Sequence, residues 1–252
     1  MALPPMKSRP VLALLHGWGM NARVFDALAD QLADDFELRA PSLPGHGGRA
    51  ALAYNTLQSW ADDLAQQLPE QTMLLGWSLG GQVAMRAALD HPQLISRLVL
   101  LASTPAFVAK ADWPAGMADD DLEAFGSALI AEPAATLLRF LSLQTRGMPE
   151  QKCVLQALRQ VFLTVPPADA GALASGLDML RHTDLRAVVP QLLQPTLVLH
   201  GALDTLTPPA AGEWLAATLP NARYVAFPRA AHAPQLSHSR ELAAAIRDFL
   251  HG

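Results

Sequence analysis

Residues 74–84 read LLGWSLGGQVA, with Ser78 flanked at two residues' distance by Gly76 and Gly80, where an apolar run gives way to helical periodicity. A serine hydroxyl is a weak nucleophile at its ordinary pKa. It becomes useful only when the backbone holds it clear and a neighbouring base removes its proton. The G-x-S-x-G spacing meets the first condition: glycines permit a sharp strand-to-helix turn, and the new helix aims its free N–H groups at an oxygen anion forming beside Ser78. Out of context the pattern describes a glycine-flanked turn serine just as well. The strand before it and the helix after it favour the nucleophile.

Such a serine needs an imidazole as base and a carboxylate to orient that imidazole, here in the chain order serine, acid, histidine. TLVLHGALDTLTP places Asp204 four residues beyond His200, just past an apolar run, and FPRAAHAPQLSH places His232 in the loop before the last helix. In LLHGWGMN the His16-Gly17 turn can direct the Trp18 amide toward the same point as the Leu79 amide. Two backbone donors would then bind the oxyanion of a tetrahedral intermediate; the plainer reading is a tight turn with a tryptophan at its rim.

The remaining histidines and several acids have quieter readings. His238 caps the final helix or faces solvent, and His200 is a core or rim histidine. His91 ends a helix, where a cation complements the dipole. His46, in LPGHGG, sits on a loop near the pocket, and Asp178 and Asp184 are solvated or cap helices. No cluster of His, Cys and carboxylate residues has metal-ligand spacing, so neither a metal nor another cofactor is expected.

These residues must be carried by strand ends. Short apolar runs stopped by Gly or Pro recur at 11–15, 36–40, 72–76, 98–102, 196–200 and 224–227. Amphipathic helix-length segments at 21–32, 59–68, 79–89 and 210–219 alternate with them, and a last helix is predicted over 239–250. That rhythm implies βαβ units and a mostly parallel sheet covered on both faces. Between about residues 107 and 190 it breaks: prolines at 114, 133, 149, 166 and 167 divide the stretch into three to five helices without a convincing strand. This block reads as a helical insertion over the loop side of the sheet, within a single domain.

With 252 residues, half of them apolar, and a net charge of −5, the chain has material for a large core and no basic character that would suggest a nucleic-acid partner. MALPPMKSRP is interrupted by Pro4, Pro5, Lys7 and Arg9, which spoils it as an export signal, and no apolar run is long enough to span a membrane. Cys153 is the sole cysteine, so no internal disulfide forms. A cytoplasmic protein is expected, away from membranes and acting as a monomer.

With elbow, acid, base and oxyanion loop in order across nearly the whole chain, the sequence resembles the α/β-hydrolase superfamily. LLHGWGMNARVF, GWSLGG, ADWP, RFLSLQTRG, LRHTDLR and AAHAPQLSH are similar to the carboxylesterase family of biotin synthesis that cleaves the methyl ester of pimeloyl-[acyl-carrier protein]. The resemblance implies Ser78, Asp204 and His232 as the catalytic set and Trp18 and Leu79 at the acyl oxygen. It also puts Phe140, Leu141, Ser142, Leu143 and Gln144 in the lid wall against the acyl chain; plain packing of lid helices is the other reading. Two departures accompany it. Only ten residues precede Val11, so one or two edge strands are expected to be lacking, and Ser42 stands where D-L-P-G is usual. Rival activities on the same scaffold are a broad carboxylesterase for small esters, a lactonase and a carbon–carbon bond hydrolase. A ligand-binding receptor with little turnover is the alternative from another class.

From Pro133 to Pro167 the charged residues are Arg139, Arg146, Lys152 and Arg159 against the single acid Glu150. In the helix around 151–163, Val154, Leu155, Leu158, Val161 and Phe162 share one face and Lys152 and Arg159 the other. A solvated helix face is one reading of that stripe. The resemblance implies instead a dock for an acidic acyl-carrier protein and its phosphate-bearing arm.

Overall fold

The computed structural model describes residues 9–251. MALPPMKS, which carries Pro4, Pro5 and Lys7 of the interrupted N-terminal stretch, lies outside the described residues. The elements in chain order are β1 (Val11–Leu15), α1 (Asp26–Leu32), β2 (Glu37–Arg39), α2 (Leu57–Ala65), β3 (Thr72–Trp77), α3 (Leu79–Asp90) and β4 (Ile95–Leu101). Then follow α4 (Asp119–Ala131), α5 (Pro133–Leu143), α6 (Gln151–Leu163), α7 (Ala170–His182), β5 (Thr196–Gly201), α8 (Pro209–Thr218), β6 (Ala222–Phe227), α9 (Pro234–Ser237) and α10 (Ser239–His251).

The strands form one sheet in the order β2-β1-β3-β4-β5-β6, and every pairing is parallel. The inner strands β1, β3, β4 and β5 are apolar on both faces because both are covered, whereas the edge strands β2 and β6 are more exposed. Ala13 and Leu15 of β1, Leu74 of β3, Leu98 and Leu100 of β4 and Val198 of β5 enter one core with α2 and α3. Leu12 and Leu14, Leu75, Val99 and Leu101, and Leu197 and Leu199 enter the other, with α1 and α10. This is why the strands read as continuous apolar runs instead of alternating ones. A fully buried leucine contributes about 1.5–3 kcal/mol by leaving water, so each covered strand is strongly held in register.

The strand order reverses between β1 and β3. The chain moves outward from β1 to β2 and then returns across β1 to β3, leaving a crevice at the carboxyl ends of these strands, where open α/β sheets take their ligands. Leu15 pairs with Gly76, so β1 and β3 end level and the His16-Gly17 turn faces Ser78.

Most differences from the predicted elements are at their ends. The first helix opens with a 3-10 turn over Ala22–Phe25, capped by the Asn21 side chain. The second starts at Leu57, not Ser59, because Thr56 and Ser59 form a reciprocal capping box that puts Ser59 inside the first turn. Strands β4 and β6 begin three and two residues earlier than their apolar runs, since Ile95 pairs with Thr72 and Ala222 with Thr196. Among the described residues no strand precedes β1.

The stretch between β4 and β5 holds the four helices α4–α7, over the carboxyl ends of the strands. Its two ends are joined by a bridge of Ala106 with Asp184 and by the Leu185 amide donating to the Pro105 carbonyl at 2.9 Å. Asp184 fastens this base further, pairing with Lys110 at 2.7 Å and Arg186 at 2.8 Å, so it is an anchor and not a solvated acid. Arg186 beside it, with Lys110, holds its carboxyl well below the usual range. Asp178 does remain exposed, against His182. No helix among the described residues is long and apolar enough to cross a membrane.

Candidate active site

Ser78 occupies the turn from β3 into α3 with φ +56° and ψ −122°, a conformation that L-residues rarely adopt. Three contacts maintain it. The Ser78 amide donates to Leu101 O at 3.0 Å, its carbonyl accepts from Ser103 Oγ at 2.9 Å, and the Gly81 amide donates to that same carbonyl at 2.9 Å. Gly80 is required by proximity: a Cβ there would lie 2.5 Å from the carbonyl oxygens of both Leu15 and His16. The elbow thus packs directly on the end of β1.

The Ser78 hydroxyl lies 3.0 Å from His232 Nε2, and His232 Nδ1 lies 2.8 Å from Asp204 Oδ2. His232 and Asp204 are buried, whereas Ser78 keeps partial access. Burial by itself would raise the Asp204 carboxyl. The adjacent His232, through its charge and hydrogen bond, outweighs this and holds it below its ordinary value. Asp204 Oδ1 also accepts the amides of Leu206 at 2.9 Å and Thr207 at 3.0 Å. An ionised acid here can keep the proton of the imidazole on Nδ1, leaving Nε2 free to accept from serine.

Several residues that support this relay carry no sequence signal of their own. Thr207 Oγ1 lies 2.8 Å from Asp204 Oδ2 and 3.0 Å from Ala102 O, so its single proton serves one acceptor at a time. Thr207→Val keeps the shape and removes that donor. It is expected to lower kcat for ester turnover about tenfold and stability by about 1–2 kcal/mol, measured by steady-state kinetics and urea unfolding. His200 is the buried core histidine expected of this strand, and it packs beside the relay. Its Nε2 donates to Thr207 O at 2.7 Å, and burial lowers its pKa, leaving it neutral 3.6 Å from Asp204.

The His232 backbone is gripped from two sides. Its amide donates to the carbonyl of Gln144, at the end of α5, at 3.0 Å, and its carbonyl accepts from the Trp77 indole at 2.8 Å.

On the other side of Ser78 stands the His16-Gly17-Trp18 turn. A Cβ on Gly17 would lie 3.0 Å from the Ser78 Cβ, so any larger residue here would press on the nucleophile's side chain. Among the described residues neither the Trp18 amide nor the Leu79 amide has an acceptor within the protein. Two unpaired donors flanking the serine, one at a helix N-terminus, form an arrangement able to stabilise an oxyanion.

The Trp18 ring is buried and donates through its indole N–H to Leu173 O at 2.9 Å. Phe125 and Phe140 meet it edge-on with centroids 5.6 and 5.1 Å away. These three aromatics, with Leu143, Leu177 and Leu206, line a cavity of about 470 Å³ beneath the inserted helices.

Of the five residues expected along the acyl chain, Phe140 and Leu143 line this cavity. Leu141 does not: helical spacing turns it inward, and it is buried in the core shared with α1 and α10. Ser142 also stays off the wall, its hydroxyl donating back to Leu138 O at 3.3 Å. Gln144 is buried and meets the His232 amide through its backbone carbonyl instead of lining the cavity.

The four cations proposed for docking separate in the same way. Lys152 and Arg159 are exposed on the face of α6 opposite buried Val154 and Leu158. Arg146 is exposed and also lines the cavity. Arg139 is exposed as well, while donating to Thr136 Oγ1 at 2.9 Å with Glu132 3.8 Å away. Glu150, the one acid of the stretch, pairs with Arg229 at 2.6 Å, which adds a fifth cation to this side.

The other histidines have structural partners. His91 lies 2.8 Å from Asp62, and His238 Nδ1 lies 2.7 Å from Ser237 Oγ. His46 is buried, well inside the loop that was expected only to pass near the pocket.

Comparison with known proteins adds the family context. A family model described as alpha/beta hydrolase fold matches residues 10–239. The chain is 42% identical over 250 residues to a pimeloyl-[acyl-carrier protein] methyl ester esterase of Aromatoleum aromaticum, covering 97% of this chain and 100% of the relative. It is 44% identical over 228 residues, 90% of each chain, to the protein of that name from Nitrosomonas europaea. Among solved structures, the esterase EaEST from Exiguobacterium antarcticum superimposes with a TM-score of 0.88 at 23% identity, over 97% of this chain and 93% of that one, which is a likeness of fold.

Proposed function

This chain belongs to the α/β-hydrolase fold family, and from that membership, its relatives and its site we propose that it is a serine carboxylesterase hydrolysing the methyl ester of pimeloyl-[acyl-carrier protein]. The products are methanol and free pimeloyl-[acyl-carrier protein]. The observation that carries this reading is the unbroken relay Ser78–His232–Asp204, at 3.0 and 2.8 Å, in a chain that matches esterases of this activity from end to end.

Ser78 attacks the ester carbonyl while His232 Nε2 takes its proton, and Asp204 holds the imidazole and offsets the charge it gains. The Trp18 and Leu79 amides receive the oxyanion. His232 then returns the proton to the departing methoxide, leaving an acyl-enzyme. The same nitrogen next activates water, whose attack frees the acid and restores the serine. No step calls for a cofactor.

Helices α4–α7 act as the lid, and the apolar cavity beneath them takes the methylene chain. The carrier arm stays joined through a thioester, which is spared because the chain's length brings only the far ester to Ser78. Methyl esters of shorter and longer dicarboxylates test this ruler: turnover should peak near the natural length, and a flat profile would exclude it. The decisive test of the function is release of methanol and free acid from carrier-bound pimeloyl methyl ester by the purified protein. Restored biotin-free growth of cells lacking their own esterase should accompany it, with Ser78→Ala inactive in both assays.

The carrier docks on the cationic lid face through charge complementarity. Reversing Arg139, Lys152 and Arg159 to glutamate is expected to lower kcat/KM for the carrier-bound ester at least about tenfold, and raising salt should have a similar effect on the unmodified protein. Hydrolysis of a small free methyl ester should be unchanged. Equal losses on both substrates would place the effect in the site and exclude docking here.

A further inference from the structure

Two buried histidines take no part in the relay, yet they lie against the loop that offers the Trp18 amide. His16 belongs to that loop and His46 to the loop after β2, and each ring accepts a backbone N–H from the other's loop. His16 Nε2 accepts from the Leu43 amide at 3.1 Å, and His46 Nε2 accepts from the Gly19 amide at 3.2 Å. The ring centroids are 5.5 Å apart.

The opposite nitrogens settle which tautomer each ring must adopt. His16 Nδ1 lies 2.8 Å from Gly17 O and His46 Nδ1 2.9 Å from Pro44 O, and since carbonyls only accept, both protons sit on Nδ1. Each Nε2 is therefore left with a lone pair for an amide of the other loop. Burial reinforces this, lowering His16 to about 3 and His46 below its ordinary value, so both rings stay neutral.

The loop bearing His46 is a firm post. Arg49 donates to Ser42 O at 2.9 Å and pairs with Asp63 of α2 at 2.5 Å, while Gly45 O accepts from the Asp169 amide at 2.7 Å. The loop bearing Trp18 is packed against Ser78 and the lid aromatics. Besides the clasp its hydrogen bonds are a turn bond from the Met20 amide to Gly17 O at 3.3 Å, the Trp18 indole on α7 and, at its far end, the Asn21 side chain on Val161 O at 3.0 Å. Gly19, the residue His46 holds, directly follows Trp18.

We infer that His16 and His46 form a reciprocal clasp between these loops that positions the Trp18 amide for the oxyanion, making both histidines positioning residues of the esterase. The inference rests on the ester-hydrolase reading of Ser78. An amide displaced by an ångström loses much of its transition-state advantage, while the open cavity still admits substrate.

The test compares His46→Gln, whose amide oxygen can accept the Gly19 N–H, with His46→Leu, of similar size but without an acceptor. With a small methyl ester, His46→Leu should lose about tenfold to hundredfold in kcat, less than the roughly hundredfold to thousandfold loss on deleting an oxyanion donor outright, with KM nearly unchanged. His46→Gln should stay within about threefold. A trifluoromethyl ketone, which forms a tetrahedral oxyanion adduct on Ser78, should bind His46→Leu more weakly by the factor lost in kcat/KM. The clasp is overturned if the two variants behave alike, or if turnover falls while ketone affinity holds. Nitrogen NMR of the unaltered protein decides the matter should His46→Leu not fold: Nε2 must be unprotonated in both rings, and a proton on either excludes the clasp. Unaltered protein that neither turns over the ester nor binds the ketone would refute the hydrolase reading itself, a result separate from all of these.

Discussion

Ser78→Ala is expected to lower ester turnover by on the order of 10⁴- to 10⁶-fold and to abolish labelling by a fluorophosphonate probe. The size follows from chemistry. Without Oγ there is no acyl-enzyme, and what remains is water attacking a bound ester beside the Trp18 and Leu79 amides. Stability should be almost untouched, because the hydroxyl's partner is His232 Nε2 at 3.0 Å while the turn is held through the Ser78 backbone and Ser103 Oγ. Ser78→Gly separates the two effects further. It is equally inactive, but it relieves the φ of +56°, so its unfolding free energy should rise by about 1 kcal/mol. Kinetics, labelling and denaturant unfolding on one preparation check all three. Retained labelling in Ser78→Ala would place the nucleophile elsewhere.

The second large effect is expected from Asp204→Asn, about 10⁴-fold in kcat at neutral pH. The substitution is nearly isosteric, and its amide oxygen can still accept the Leu206 and Thr207 amides that Asp204 Oδ1 accepts at 2.9 and 3.0 Å. Its NH₂ group, however, falls where Oδ2 stood, 2.8 Å from His232 Nδ1. A donor there demands an acceptor on the ring, so the imidazole proton moves to Nε2 and points at the serine. The base can then no longer take the Ser78 proton. Substrate binding should be little changed, because the buried carboxyl is not among the groups lining the cavity.

The same carboxyl has a signature in stability. Despite its burial, it is held below its ordinary value by His232 and its hydrogen bonds. A depressed folded-state pKa means that the unfolded chain binds the proton more readily. Asp204 therefore contributes stability above about pH 3.9, the unfolded value, and loses it as pH falls toward the folded one. Asp204→Asn should flatten that part of the acid-unfolding curve. An unchanged curve would show that the carboxyl gains no net stabilisation from its partners.

Much of this protein can be read from local pattern. The elbow announces itself because Gly76, Ser78 and Gly80 act within one turn, and a turn's geometry depends on adjacent residues. The strands are visible because a sheet covered on both faces requires unbroken apolar runs, and α6 shows its buried and cationic sides because 3.6-residue periodicity sorts them along one helix. The chain order of Ser78, Asp204 and His232, each at a strand end or loop, was available for the same reason.

What stayed hidden depends on groups brought together from far apart in the chain. Trp77 reaches the His232 carbonyl, and Trp18 reaches Leu173, each across 155 positions. His16 and His46 hold each other's loops across 27. Gln144 holds His232 through its backbone carbonyl, a group every residue possesses, so no side-chain type could have singled it out. Leu141 and Leu143 are two residues apart and chemically alike, yet one enters the core and the other the cavity. Propensity and periodicity act over a few residues, and they decide which elements form and what they carry. The orientation of a side chain within an apolar helix and the pairing of distant loops are set by packing across the sheet, which exists only once the chain has folded.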